Sequence, residues 1–96
     1  VTSKAALVGL TKAISMEFIE RGITCNCVVP GFIEDFDTDK KSLEGHWLKH
    51  PQTPNLSTGR YGNPEDVAEV ISNLCKKESG YVNGQVLHVN GGAYTP

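Results

Sequence analysis

The run from Ile23 to Val29 (Ile-Thr-Cys-Asn-Cys-Val-Val) is short and rich in apolar and β-branched residues, with Gly22 before it and Pro30-Gly31 after it. Such a run between turn-forming borders predicts a strand over 23–29 buried on both faces, as in a parallel sheet. A parallel partner cannot be reached through a tight turn. It needs a crossover of roughly a dozen or more residues, usually a helix. A second strand of this kind, with a helix between the two, therefore commits the chain to an α/β arrangement.

The remaining elements are legible. Residues 3–21 predict a helix, because Leu7, Leu10, Ile14 and Phe18 recur at helical steps and share one face. Ala5, Ala6, Gly9 and Ala13 are small and allow a neighbouring element to approach closely. Gly22 fits the left-handed position that stops a helix, with Ile23 folding back on Phe18. Asn63-Pro64-Glu65-Asp66 reads as a helix start: an N-cap, a proline at the first helical position and two acids at the positive end of the dipole. Val67, Val70, Ile71, Leu74 and Cys75 continue it to Lys76-Lys77. Gln85–Val89 reads as the second strand. Asn90-Gly91-Gly92 closes it as a structural turn, with no helix behind it to offer an N-terminus to phosphate.

The order helix, strand, irregular segment, helix, strand argues for a parallel sheet with right-handed crossovers. Two strands leave a sheet edge and a helix face uncovered. The expectation is part of a larger sheet, in a chain cut from something longer, or pairing with another copy.

Composition removes several classes. Nine Lys/Arg against eleven Asp/Glu give a formal charge of −2, without the dense cationic face that nucleic acid requires. No apolar run nears the roughly 20 residues of a membrane span. Cys25, Cys27 and Cys75 are an odd count and read as reduced thiols of an intracellular protein. No second Cys or His pair lies at zinc spacing from Cys25 and Cys27, so no metal is expected. His46 and His50 lack the Glu of a His-Glu-x-x-His pattern and read as solvent-facing.

Residues 32–62 are the irregular part, with a short helix expected over 41–49 and Leu43, Trp47 and Leu48 turned inward. A segment of that length is more often a binding loop than filler. Arg60 reads as a structural ion-pairing residue, with an anionic carrier as the alternative partner.

Several short motifs stand in a telling order. They are Ser3-Lys4-Ala5-Ala6-Leu7, Gly9-Leu10-Thr11-Lys12-Ala13, Gly22-Ile23, Asn26, Pro30-Gly31-Phe32-Ile33, Gly59-Arg60, Gly62, Pro64-Glu65-Asp66-Val67-Ala68, Gly84-Gln85 and Val89-Asn90-Gly91-Gly92. Together they resemble the second half of a short-chain dehydrogenase/reductase, over nearly the whole chain apart from about residues 35–58. Through Pro30–Ile33 and Gln85–Gly92 the look is closest to the 3-oxoacyl-(acyl carrier protein) reductase branch.

The resemblance implies the C-terminal part of a Rossmann-type doubly wound parallel sheet: its last two strands with flanking helices, in one domain portion over 1–96. Lys4 matches the lysine of the family's Tyr-x-x-x-Lys motif, whose tyrosine would stand immediately before Val1. That tyrosine donates the proton to the carbonyl oxygen. The lysine lowers the tyrosine's pKa by its charge and holds the nicotinamide ribose, so Lys4 is implied as both catalytic and cofactor-binding. Pro30, Gly31 and Ile33 are implied to frame the nicotinamide end, with the backbone near Ile33 binding the carboxamide. Asp35 departs from the pattern: the family commonly has Thr there, and a carboxylate repels a diphosphate. Residues 35–58 correspond to the substrate loop.

The implied function is an oxidoreductase using NADP or NAD, NADPH favoured, on a small-molecule or acyl-carrier-bound carbonyl. A homodimer or homotetramer in the cytoplasm is implied, with no nucleic-acid or membrane partner. The alternatives are a relative acting on a sugar, polyol, steroid or small ketone, and a non-catalytic oligomerising module lacking the tyrosine and the Gly-rich nucleotide turn.

Overall fold

The computed structural model describes residues 2–34, 60–93 and 95. The expected helix over 41–49, the loop over 35–58, and Asp35 lie outside the described residues. The described elements are α1 (Thr2–Glu17), β1 (Cys27–Pro30), α2 (Pro64–Leu74) and β2 (Val86–Val89). β1 and β2 pair in parallel, Cys27 opposite Val86 and Pro30 opposite Val89, and both helices pack on this pair. The parallel α/β arrangement required by the 23–29 run is therefore present.

The first helix ends earlier than its apolar pattern suggests. α1 stops at Glu17, and a 3-10 turn over Ile19–Arg21 follows before Gly22 at φ 73°. The Ile23 N–H reaches the Phe18 carbonyl at 3.4 Å and the Gly22 N–H the Ile19 carbonyl at 3.0 Å. These are the two bonds of a Schellman stop.

The buried face of α1 also differs from the expected one. Leu7 and Leu10 are each 55% exposed, whereas Thr11 and Ser15 are buried. The Thr11 hydroxyl donates to the Leu7 carbonyl at 2.7 Å and the Ser15 hydroxyl to the Lys12 carbonyl at 2.7 Å. Each hydroxyl thus finds its partner within its own helix, which removes the main cost of burying it. The Ala6, Gly9 and Ala13 surface is exposed, and a side chain at Gly9 would meet only open space.

The first strand starts later than expected, at Cys27. Ahead of it, side-chain amides take several of the bonding positions. The Cys25 N–H donates to Asn83 Oδ1 at 2.9 Å, and Asn26 donates to the Val82 carbonyl at 3.0 Å while accepting from the Gln85 N–H at 3.0 Å. Two main-chain bonds also join the segments here, from the Gly84 N–H to the Cys25 carbonyl and from the Cys27 N–H to the Gln85 carbonyl, each at 2.8 Å. Both strands are half-buried, not buried on both faces, except for exposed Pro30.

The start of α2 follows its sequence. Asn63 Oδ1 accepts from the Asp66 N–H at 3.0 Å, and Asp66 Oδ2 accepts from the Asn63 N–H at 2.9 Å. This reciprocal capping box satisfies two amides at the helix start, and Pro64 in the first turn lacks the donor that would need a third partner.

Candidate functional site at the strand ends

In open parallel sheets the carboxyl ends of the strands are where ligands bind. Here β1 runs into Pro30-Gly31 and β2 into Asn90-Gly91-Gly92. The Gly31 N–H continues the ladder to the Val89 carbonyl at 3.0 Å. A Cβ on Gly31 would stand 2.5 Å from Asn90 Cβ and 2.8 Å from Asn90 Cα. The glycine is thus required by the close approach of β2's end. Past β2, Asn90 Oδ1 accepts from the Gly92 N–H at 2.9 Å, and Gly91 and Gly92 have φ of 59° and 84°. This is the expected structural turn.

Past Gly31 the chain is bound to a distant stretch. Ile33 and Gly62 form an isolated parallel bridge. The Gly62 N–H donates to the Phe32 carbonyl at 2.9 Å, and the Glu34 N–H donates to the Gly62 carbonyl at 2.9 Å. In a parallel bridge the flanking residues supply both partners, so the Ile33 N–H and C=O face away from Gly62. They present one donor and one acceptor on a common side. Phe32 and Tyr61 pack edge to face with ring centroids 6.1 Å apart. Burial pushes the Tyr61 phenol up from its ordinary pKa.

Arg60 takes the structural role. Its guanidinium bonds Asp66 Oδ2 at 2.8 Å and reaches Oδ1 at 3.4 Å. The hydrogen bond from Arg60, followed by that from the Asn63 N–H, holds the Asp66 carboxyl below its usual range, and the bond to Asp66 raises Arg60.

Lys4 lies in the first turn of α1 and is exposed. Lys4 and Pro30 border one cavity of about 400 Å³, with Leu7, Val8, Cys27, Val29 and His88 among its walls. Ile33 borders a separate cavity of about 230 Å³ with Phe32, Gly62, Val89 and Asn90. Of the residues expected at the site, Lys4 and Pro30 therefore line one cavity, and Gly31 joins Pro30 to the segment carrying Ile33. Sequence reasoning missed Gly62 as a partner of Ile33, and its only signal was a glycine just ahead of a helix cap. Among the described residues no group of three His, Cys, Asp or Glu side chains is placed to hold a metal ion, and no helix is long and apolar enough to cross a membrane.

The comparisons bear on this geometry. Residues 1–94 match the family model described as enoyl-(acyl carrier protein) reductase. The 3-oxoacyl-[acyl-carrier-protein] reductase FabG of Rickettsia bellii is 48% identical over 90 residues, covering 94% of this chain and 36% of that protein. The chain belongs to the short-chain dehydrogenase/reductase family. A double mutant of a Serratia marcescens member superposes with a TM-score of 0.79 at 31% identity, over 98% of this chain and 37% of the other. A 4-hydroxyisoleucine dehydrogenase complexed with NADH gives 0.79 at 29% identity, over 96% and 36%. The chain thus spans little more than a third of the length of these relatives. Its parallel pair and flanking helices are part of a Rossmann-type doubly wound sheet.

Proposed function

We propose that this chain is the C-terminal portion, 1–96, of a short-chain oxidoreductase that interconverts a carbonyl and a secondary alcohol with NADP or NAD. The substrate is a 3-oxoacyl group on an acyl carrier. The observation that carries this reading is the 48% identity to a 3-oxoacyl-[acyl-carrier-protein] reductase over 94% of the chain. The structure of a relative with NADH supports a nicotinamide cofactor, and the choice of NADPH rests on the family resemblance. A second reading, a small hydroxy or keto substrate, is favoured by the likeness to 4-hydroxyisoleucine dehydrogenase at 29% identity.

The residues present suit the cofactor. A primary carboxamide offers a carbonyl acceptor and an NH2 donor group, and the Ile33 main chain presents a complementary N–H and C=O on the side away from Gly62. Lys4 brings an ammonium to the cavity it shares with Pro30, beside the carboxyl end of β1. When bound, the nicotinamide supplies or accepts a hydride at the carbonyl carbon.

In the proposed reaction the proton at the carbonyl oxygen comes from a tyrosine preceding Val1. Lys4 favours the tyrosine's ionised form by its charge and bonds the ribose hydroxyls. Pro30 and Gly31 hold the strand end against β2, and Ile33 orients the carboxamide. Residues 35–58 serve as the substrate loop. The enzyme is a cytoplasmic homodimer or homotetramer, with the exposed Ala6, Gly9 and Ala13 surface and Ile71, 46% exposed, available for contact.

The test is turnover of a 3-oxoacyl thioester by the full-length protein with NADPH and NADH. Lys4→Ala lowers the rate about 30- to 1000-fold, or roughly 2–4 kcal/mol of transition-state stabilisation. Lys4→Arg does not restore it, because a planar fork cannot place one compact charge between ribose and phenol. Equal rates for Lys4→Ala and the parent protein refute the role given to Lys4.

A further inference from the structure

We propose that Gly62 is a positioning residue for Ile33: the lack of a side chain at position 62 sets where Ile33 lies, and thereby how tightly the nicotinamide cofactor binds. This rests on the reading of the Ile33 main chain as the carboxamide's partner. Gly62 is not needed for backbone freedom, since the described glycines with positive φ are Gly22, Gly84, Gly91 and Gly92. Its reason is space. A Cβ at position 62 would stand 2.6 Å from Ile33 Cδ1, while its other neighbours, Asp66 Oδ2 and the Phe32 carbonyl, lie at an ordinary 3.6 Å. One methyl group is the whole obstacle. That methyl is the far end of a flexible side chain, so an added Cβ turns the Ile33 side chain aside and spares the fold.

The main chain couples the two residues further. Gly62 takes the carbonyl before Ile33 and the N–H after it, each at 2.9 Å. This bracket is what turns Ile33's own N–H and C=O to the opposite side. Restoring ordinary contact requires Ile33 Cδ1 and the new Cβ to separate by about 0.8 Å. Misplacement by a full ångström can cost about a hundredfold at a site. Gly62 also sits between Tyr61, packed on Phe32, and Asn63, the cap of α2. The stem pressing on Ile33 is therefore fixed on both sides, and Ile33 is the part that yields.

The experiment titrates NADPH and NADH into the cofactor-free full-length protein by fluorescence, with cofactor KM and kcat measured in parallel. Gly62→Ala weakens nucleotide binding about tenfold, less than a full ångström of misplacement costs. Cofactor KM rises to match, kcat changes less, and the melting temperature of the cofactor-free protein holds. The companion variant is Ile33→Val, which deletes Cδ1. In that background the Gly62→Ala step costs less than twofold, the non-additivity expected of two groups in contact. Unchanged affinity in Gly62→Ala overturns the proposal, and so does an equal loss in both backgrounds. If Gly62→Ala alone fails to fold, the double variant must still fold and bind like Ile33→Val, and its failure to do so is equally fatal. A parent protein that binds neither nucleotide overturns the functional reading itself. Normal binding by the parent with no effect of Gly62→Ala removes only the role of Gly62.

Discussion

The two ends of the β1–β2 pair are tied by different means. At the amino end side-chain amides reinforce two main-chain bonds, from the Gly84 N–H to the Cys25 carbonyl and from the Cys27 N–H to the Gln85 carbonyl. Asn83 accepts from the Cys25 N–H and donates to the Ser15 carbonyl, both at 2.9 Å, and so joins α1, β1 and the approach to β2. Asn26 and Gln85 extend the latch at 3.0 and 3.1 Å. At the carboxyl end the ties are main-chain bonds at Gly31 and Gly62, where an added Cβ would meet Asn90 and the Ile33 Cδ1 methyl respectively. A side chain that completes a latch is committed to it. An end held by the main chain leaves its side chains and outward amides for a ligand. On the proposed function, the amino end carries stability and the carboxyl end the chemistry.

The largest effect tests whether either end suffices without further cover. Among the described residues no side chain is fully buried, and Leu7, Leu10, Met16 and Ile71 are exposed. Apolar patches beyond a few hundred Å² are rare on monomers. A polypeptide of residues 1–96 alone is expected to give no cooperative thermal transition as a monodisperse monomer, and no turnover. Calorimetry with light scattering decides, and a sharp monomeric melt contradicts the expectation.

Next in size is the latch. In the full-length protein Asn83→Ala leaves partners on Cys25 and Ser15 unsatisfied and is expected to cost about 1–3 kcal/mol. Denaturant melts read this loss, and cofactor KM stays within twofold of the parent's. A large rise in KM with little lost stability reverses the assignment of the two ends.

Smaller is the cap that carries Gly62. Asn63→Ala removes the acceptor for the Asp66 N–H and is expected to cost about 1 kcal/mol. Asn63→Asp, which keeps an oxygen there, recovers most of it in the same melts.

The smallest effect is on pH. Asp66 titrates below its unfolded value, near 3.9 for a free aspartate, because Arg60 and the Asn63 N–H bond its carboxylate. Its contribution is therefore complete above the unfolded value and is lost as pH falls through the lower folded one. Melting temperature followed from pH 6 downward is expected to fall less steeply below about pH 4 in Asp66→Asn than in the parent protein. Parallel curves remove the ion pair and cap from the account of acid stability.

Much of this was legible in the chain itself. The run walled by Gly22 and Pro30-Gly31 determined a parallel strand, hence an α/β arrangement. The Gly22 stop and the Asn63-Pro64 start were readable because each is settled within a few residues. Lys4, Pro30, Gly31 and Ile33 were named through motifs in a fixed order. Tertiary structure decided what depends on distant partners. It seated α1 on Thr11 and Ser15 instead of Leu7 and Leu10, since a hydroxyl bonded inside its own helix can be buried where apolar counting expects leucine. It delayed β1 to Cys27, since the Cys25 N–H ahead of it bonds a side chain, Asn83, 58 positions away, in place of a main-chain carbonyl. It also set Gly62 against Ile33, since the space a missing side chain leaves has meaning only once another segment fills it.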